Sequence, residues 1–160
     1  MLNIVLVHPQ IPPNTGNIGR LCVNIGARLH IVKPIGFDIS QKAVKRAGLD
    51  YWSKLDLVIW ESLEEFLQSN NISSNIHLAT TKTDRLYWDA TYKADDFILF
   101  GSETSGLPKE LIESNPNRCI TIPMTKEGRS LNLSVSVGIV AFEALRQNRD
   151  SYIKELYEDR

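Results

Sequence analysis

The strongest constraint on this chain is a set of short apolar runs that do not alternate. They are Ile4–Val7, Leu29–Val32, Leu57–Trp60, Ile76–Thr80, Phe97–Phe100 and Cys119–Ile122. A strand with one wet face alternates apolar and polar side chains. Consecutive apolar residues fit a strand covered on both faces, hence a mostly parallel sheet with helices on each side. The segments between the runs supply those helices. Asn14 or Thr15 is expected to cap a helix running to about Asn24, with Gly26 as its stop. Ser40 begins another over 41–47. Ser62-Leu63-Glu64-Glu65 is a capping box opening a helix through Leu67. Pro108 sits at the first turn before Lys109–Glu113. A last helix starts near 130–132 and runs beyond Arg146.

At 160 residues the chain holds one core, and no linker, repeat or low-complexity tract divides it. One α/β domain spanning residues 1–160 is expected. The formal net charge of −1 gives no overall attraction for nucleic acid, so any RNA contact must come from local patches. Cys22 and Cys119 lack metal-site spacing, and no metal is expected. The apolar start ends at His8-Pro9, too short for a signal segment, and no run reaches membrane-spanning length. The expected setting is the cytoplasm, away from membranes.

Polar and glycine-rich residues gather just after strands: Ala79-Thr80-Thr81, Gly101–Gly106, and Ile122 through Ser134. Open α/β sheets bind ligands outside the carboxyl ends of their strands, so these loops predict one composite pocket. Neither GxGxxG after the first strand nor a phosphate-loop lysine pattern is present. That disfavours a nucleotide-phosphate ligand and leaves a small, uncharged or zwitterionic one. A further polar strip lies in Asn14-Thr15-Gly16-Asn17-Ile18-Gly19-Arg20, where Asn17 and Arg20 share a helix face. His8, His30 and His77 fall at strands or strand ends and read as structural. Lys42, Lys45 and Arg46 cluster on one short helix before Tyr51-Trp52, while Lys82 with Arg85 and Lys126 with Arg129 flank the pocket. Basic residues beside aromatics suit a single-stranded RNA loop whose bases stack.

The stretches "NTGNIGR", "FGSETSGLP" and "IPMTKEGRSLNLSVSVGIVAFEA" together closely resemble the SPOUT superfamily of RNA methyltransferases. Within it, the chain is similar to the small single-domain enzymes that methylate the ribose 2′-oxygen at the tRNA wobble position. The resemblance runs from Met1 to about Arg149. It departs from the pattern at Ser102, where proline is usual, and at Ser105, where arginine is usual. The resemblance implies a deep C-terminal trefoil knot whose loops hold S-adenosylmethionine (SAM). Carried over, the cofactor residues are Ala79, Thr80, Gly101, Ser102, Gly106, Ile122, Ser130 and Leu131. It also implies a homodimer through the first and last helices, an active site completed across two chains, and a tRNA anticodon stem-loop as substrate. Leucine isoacceptors, with cytidine or a modified uridine at the wobble position, are the implied targets.

The resemblance makes Arg20 the catalytic candidate. A guanidinium holds its proton at neutral pH, so gripping a phosphate and the forming alkoxide suits it better than acting as a base. The proton would go to that phosphate, to water or to Glu103. Asn17 would orient Arg20 or the ribose, and Glu103 would serve catalysis or brace its loop. Lys42, Lys45, Arg46, Lys82 and Arg129 are the candidate RNA contacts. Methylation of another tRNA position or of ribosomal RNA, a silent RNA-binding protein on the same fold, and an unrelated nucleotide binder are the competing readings.

Overall fold

The computed structural model describes residues 1–40, 42, 50–70 and 75–157. Six parallel strands form one sheet: β1 Asn3–Val7, β2 Arg28–Val32, β3 Leu57–Trp60, β4 Ile76–Ala79, β5 Phe97–Phe100 and β6 Cys119–Ile120. Their order is β3-β2-β1-β5-β4-β6. The expected α/β architecture is present, with every strand pair parallel. Alternate residues of each strand feed opposite cores. Ile4, Leu6, Leu29, Ile31, Ile98 and Phe100 face one layer, while Val5, Val7, Val32, Leu78 and Leu99 face the other. All are buried, which is why the runs show no polar alternation.

The first layer is made by α1 (Pro12–Ile25) and by the helix Leu133–Gln147, here α4. Ile18 and Cys22 of α1 pack there with Val137, Val140, Ala141 and Ala144 of α4. The second layer comprises α2 (Leu63–Ser69) and α3 (Lys109–Ser114), through Phe66, Leu111 and Ile112. A final helix, α5 (Arg149–Tyr157), follows a break at Asn148.

Several boundaries differ from the sequence expectation. α1 begins at Pro12, so neither Asn14 nor Thr15 caps it, and both are buried within it. The diproline opens the helix because its missing N–H groups would have had no helical partner. Ser62 does cap α2, its hydroxyl accepting from the Glu65 amide at 3.1 Å. Glu65 reaches back to the Glu61 amide at 2.8 Å. Pro108 is the residue before α3 rather than its first member. Asn148 separates α4 from α5 by turning its amide onto the Tyr92 and Ala144 carbonyls. The expected helix over 41–47 lies outside the described residues except for Lys42.

Candidate active site

The polar loops after β4, β5 and β6 meet at the carboxyl end of the sheet. With the N-terminus of α1 they enclose a cleft of about 690 Å³, within the range of small-molecule sites. Every residue carried over as a cofactor contact lines it: Ala79, Thr80, Gly101, Ser102, Gly106, Ile122, Ser130 and Leu131. Lys82 and Arg129 also line it, as does Tyr87, which sequence reading passed over. The walls mix hydroxyls with apolar groups from Leu107, Ile120 and Leu133. That mixture fits an adenosyl group, which needs an apolar slot for its base and polar groups along its ribose and amino-acid ends.

The loop after β5 has its own internal order. Gly106 lies in the left-handed region at φ 69°, where a side chain is disfavoured. Gly101 has a different constraint: a Cβ there would collide with the backbone of Gly106 and Leu107. Its lack of a side chain serves the loop's own closure. Ser102 and Ser105 act together. Their hydroxyls are 2.7 Å apart, and the Ser105 amide donates to Ser102 Oγ at 3.2 Å. The Gly106 amide closes the turn on the Ser102 carbonyl at 3.0 Å.

Glu103 leaves this loop and reaches the segment before α1. Its Oε2 accepts from the Gln10 amide at 2.8 Å, and its Oε1 accepts from the Ile11 amide at 3.0 Å and from Asn14 Nδ2 at 3.3 Å. α1 has no side-chain cap of its own, and this carboxylate supplies an acceptor at its entry. Thr104 adds a 2.6 Å bond to Gln10 Oε1. Of the two roles open to Glu103, the geometry is that of a brace, directed at the start of α1 as well as its own loop. Asn14 then passes the connection on, accepting from Asn132 Nδ2 at 3.0 Å. Asn132 Oδ1 in turn accepts from the Ser134 and Val135 amides at the start of α4. One side chain therefore ties three motifs together, a role that neither a cap nor a place in the polar strip of α1 predicts for Asn14.

Asn17 and Arg20 do not line this cleft; both are exposed on the outer face of α1. Leu21 of α1 approaches Gly138 of α4, so the exposed faces of these helices adjoin. On α4 that face carries Val135 and Phe142, 49% and 56% exposed, with Leu131 just before it. Lys42 is exposed, and Lys45 and Arg46 lie outside the described residues. Arg85 is held by the Asn117 carbonyl at 2.8 Å. Tyr51 and Trp52, expected to offer stacking surfaces, pack against α1 and are half-buried.

The strand histidines are structural. His30 is buried; Trp60 Nε1–H donates to its Nδ1 at 3.1 Å, so its Nε2–H donates to Asn3 Oδ1 at 3.0 Å. Burial, helped by the Arg28 charge and opposed by Asp56, brings its pKa down to about 4. His77 pairs with Asp96 at 2.8 Å, both buried. Both cysteines are free and buried. Among the described residues no cluster of His, Cys, Asp or Glu is arranged to hold a metal, and no helix is long and apolar enough to cross a membrane.

The arrangement has close counterparts. A tRNA (cytidine(34)-2'-O)-methyltransferase of Yersinia pestis is 45% identical over 152 residues, 92% of this chain and 94% of the relative. A solved structure described as giving insight into 2-OH methylation of C/U34 on tRNA has a TM-score of 0.87. It is 38% identical, covering 94% of this chain and 97% of its own. An AdoMet-bound rRNA methyltransferase from Sinorhizobium meliloti matches at a TM-score of 0.78 and 26% identity, across 91% of this chain and 56% of that one. The family described as SpoU rRNA Methylase matches residues 1–142. That span takes in all six strands, the braced entry to α1 and every loop of the cleft, and the chain belongs to this family.

Proposed function

We propose that the chain is a SAM-dependent methyltransferase acting on the ribose 2′-hydroxyl of the tRNA wobble nucleotide, in the cytoplasm and as a homodimer. The observation that carries this reading is the convergence of the three family loops on one cleft, with all the expected cofactor residues on its walls. The relative named for cytidine 34 and the solved structure described for C/U34 support a pyrimidine at that position; that the uridine is a modified one is part of the finer expectation. Leucine isoacceptors and the anticodon stem-loop are the finer expectation. The trefoil knot belongs to the same reading, supported by likeness to the solved methyltransferases.

SAM supplies an electrophilic methyl group, so the chemistry asks the protein for position and charge rather than for a covalent nucleophile. Ala79, Gly101, Ile122 and Ser130 would hold the cofactor, with Thr80, Ser102, Gly106 and Leu131 completing the walls. Arg20 would grip the phosphate next to the target ribose and stabilise the forming alkoxide. Because Glu103 is engaged by Gln10, Ile11 and Asn14, the 2′-proton leaves to that phosphate or to water. Asn17, beside Arg20 on the same exposed face, would contact the ribose or the guanidinium.

Arg20 faces outward from the cleft of its own chain, which supports completion of the site by a second copy. The exposed apolar stripe of Val135 and Phe142 on the adjoining helix favours such a copy. Lys82 and Arg129 at the cleft, with Lys42, Lys45 and Arg46, would meet the RNA backbone. The deciding experiment is mass spectrometry of tRNA from cells lacking the protein. Loss of a ribose methyl at position 34, restored by the wild-type gene, is the expected result. An unchanged wobble nucleotide together with a methyl missing elsewhere would move the substrate to another RNA site.

A further inference from the structure

Arg20 projects from an unusual turn of helix. Gly16 and Gly19 both lie within the four residues before it, and each glycine weakens a helix interior by about 1 kcal/mol relative to alanine. A catalytic guanidinium on such a turn needs support from outside the helix. The support present is the Tyr51-Trp52 elbow, which precedes β3 and packs against α1. Tyr51 Oη donates to the Gly16 carbonyl at 2.6 Å. In an α-helix that carbonyl accepts from the amide four residues on, which is the amide of Arg20. The phenol and the Arg20 main chain therefore share one acceptor, whose two lone pairs permit both bonds. Trp52 closes the other side: a Cβ on Gly19 would lie 2.9 Å from Trp52 Cζ3. The indole fills the space that a larger residue at 19 would take.

We infer that Tyr51 is a positioning residue for Arg20, its hydroxyl clamping the turn of α1 that presents the guanidinium to the RNA. The two side chains are close enough to sense each other electrostatically. Burial raises the Tyr51 phenol pKa, and the Arg20 charge opposes that rise. Trp52 acts beside Tyr51 as packing against Gly19, whereas the hydroxyl makes a directional contact at the carbonyl below Arg20. The inference rests on the catalytic reading of Arg20 given above, but the clamp itself is a contact between Tyr51 and α1 and is measurable without turnover.

Tyr51→Phe removes one oxygen and keeps the ring against α1. Two readouts on this variant decide the matter. The first is amide hydrogen exchange in the SAM-free protein. Losing one hydrogen bond of ordinary net strength should speed exchange roughly five- to tenfold at Gly19, Arg20 and Leu21. Amides of β1 and α4 should be unchanged. The second is single-turnover methylation of a wobble-nucleotide tRNA substrate, in a cycle with Arg20→Lys. Tyr51→Phe should lower the rate roughly tenfold, with SAM affinity and tRNA half-saturation within about twofold, and should have almost no further effect in the Arg20→Lys background. Unchanged exchange around Arg20 overturns the clamp. Local exchange accelerated while the two substitutions act additively on the rate overturns the link to Arg20. Near-normal turnover in Arg20→Lys alone shows that charge suffices without an oriented fork, and Tyr51 then loses its assigned purpose even where the exchange result holds. Should Tyr51→Phe fold poorly, Trp52→Phe provides the control. It thins the packing on Gly19 yet keeps the phenol, so it should leave the rate within about threefold if the hydroxyl is the operative group.

Discussion

Asn14 and Asn132 lie 118 residues apart in the chain and 3.0 Å apart in space. Through them the entry to α1, the Glu103 brace and the start of α4 form one hydrogen-bonded unit on the wall of the cleft. Replacing Asn14 by alanine strands Asn132 Nδ2 and removes one donor from Glu103. Asn132 is exposed, so water can take the lost partner's place and the cost is that of ordinary hydrogen bonds, about 0.5–1.5 kcal/mol each. Asn14→Ala is therefore expected to lower the melting temperature and to weaken SAM binding roughly tenfold, read by calorimetric melting and by titration. Asn17→Ala, on the exposed face, is expected to leave both unchanged.

The two glycines of the β5 loop should fail in different ways. Gly101→Ala places a methyl group on the backbone of Gly106 and Leu107, an overpacking that costs about 3 kcal/mol or more. Gly106→Ala has open space around it but keeps a positive φ, at a cost of about 1–2 kcal/mol. Urea denaturation is expected to rank Gly101→Ala as the more damaging of the two.

Arg20→Lys keeps the charge and loses the planar fork of donors. Turnover is expected to fall on the order of 100-fold, the scale of losing one donor to a developing oxyanion. SAM affinity should stay within a few-fold, because Arg20 does not line the cleft proposed to hold it. Single-turnover rates beside binding titrations separate the two quantities. Lost SAM binding in a folded protein would put Arg20 in the cofactor site.

Association has its own check. Sedimentation should give the mass of two chains at micromolar concentration. Phe142→Asp puts a charge on the exposed stripe of α4 and should shift the mass to one chain with little change in the melting of the fold.

His30 gives the stability a dependence on pH. It is neutral in the fold, with a pKa brought down to about 4, whereas in the unfolded chain it binds a proton near the ordinary imidazole value of 6.5. Between those values the unfolded state carries more protons, so stability falls as the pH drops from about 6.5 towards 4. The full loss is bounded at roughly 3–4 kcal/mol. His30→Gln keeps a donor and an acceptor but does not titrate, and its urea midpoint should change less between pH 7 and pH 4.5.

The sheet was legible because burial on both faces leaves a one-dimensional trace: apolar residues at every position of a strand. The loops of the cleft were legible because glycines and hydroxyls collected at strand ends. The face of α1 was less so. Starting the helix at Asn14 or Thr15 made those residues caps and put Asn17 foremost, while the diproline start carries Asn14 inward. Glu103 had two roles open to it, and only spatial proximity to Gln10 and Ile11 separates them. Tyr51-Trp52 looked like a stacking surface because exposure is not written in residue type. The end of α4 at Asn148 depends on a bond to Tyr92, far along the chain and invisible to any local pattern.

The position of β1 has a consequence for synthesis. This strand lies inside the sheet, between β2 and β5. It is synthesised before both of its neighbours, and the second of them is residues 97–100. Until then Ile4, Val5 and Leu6 present a bare hydrogen-bonding edge flanked by apolar side chains, the kind of edge that recruits foreign strands. A nascent chain stalled before Phe97 is a sticky half-sheet, and premature termination anywhere in that interval should yield aggregates rather than a smaller working fold.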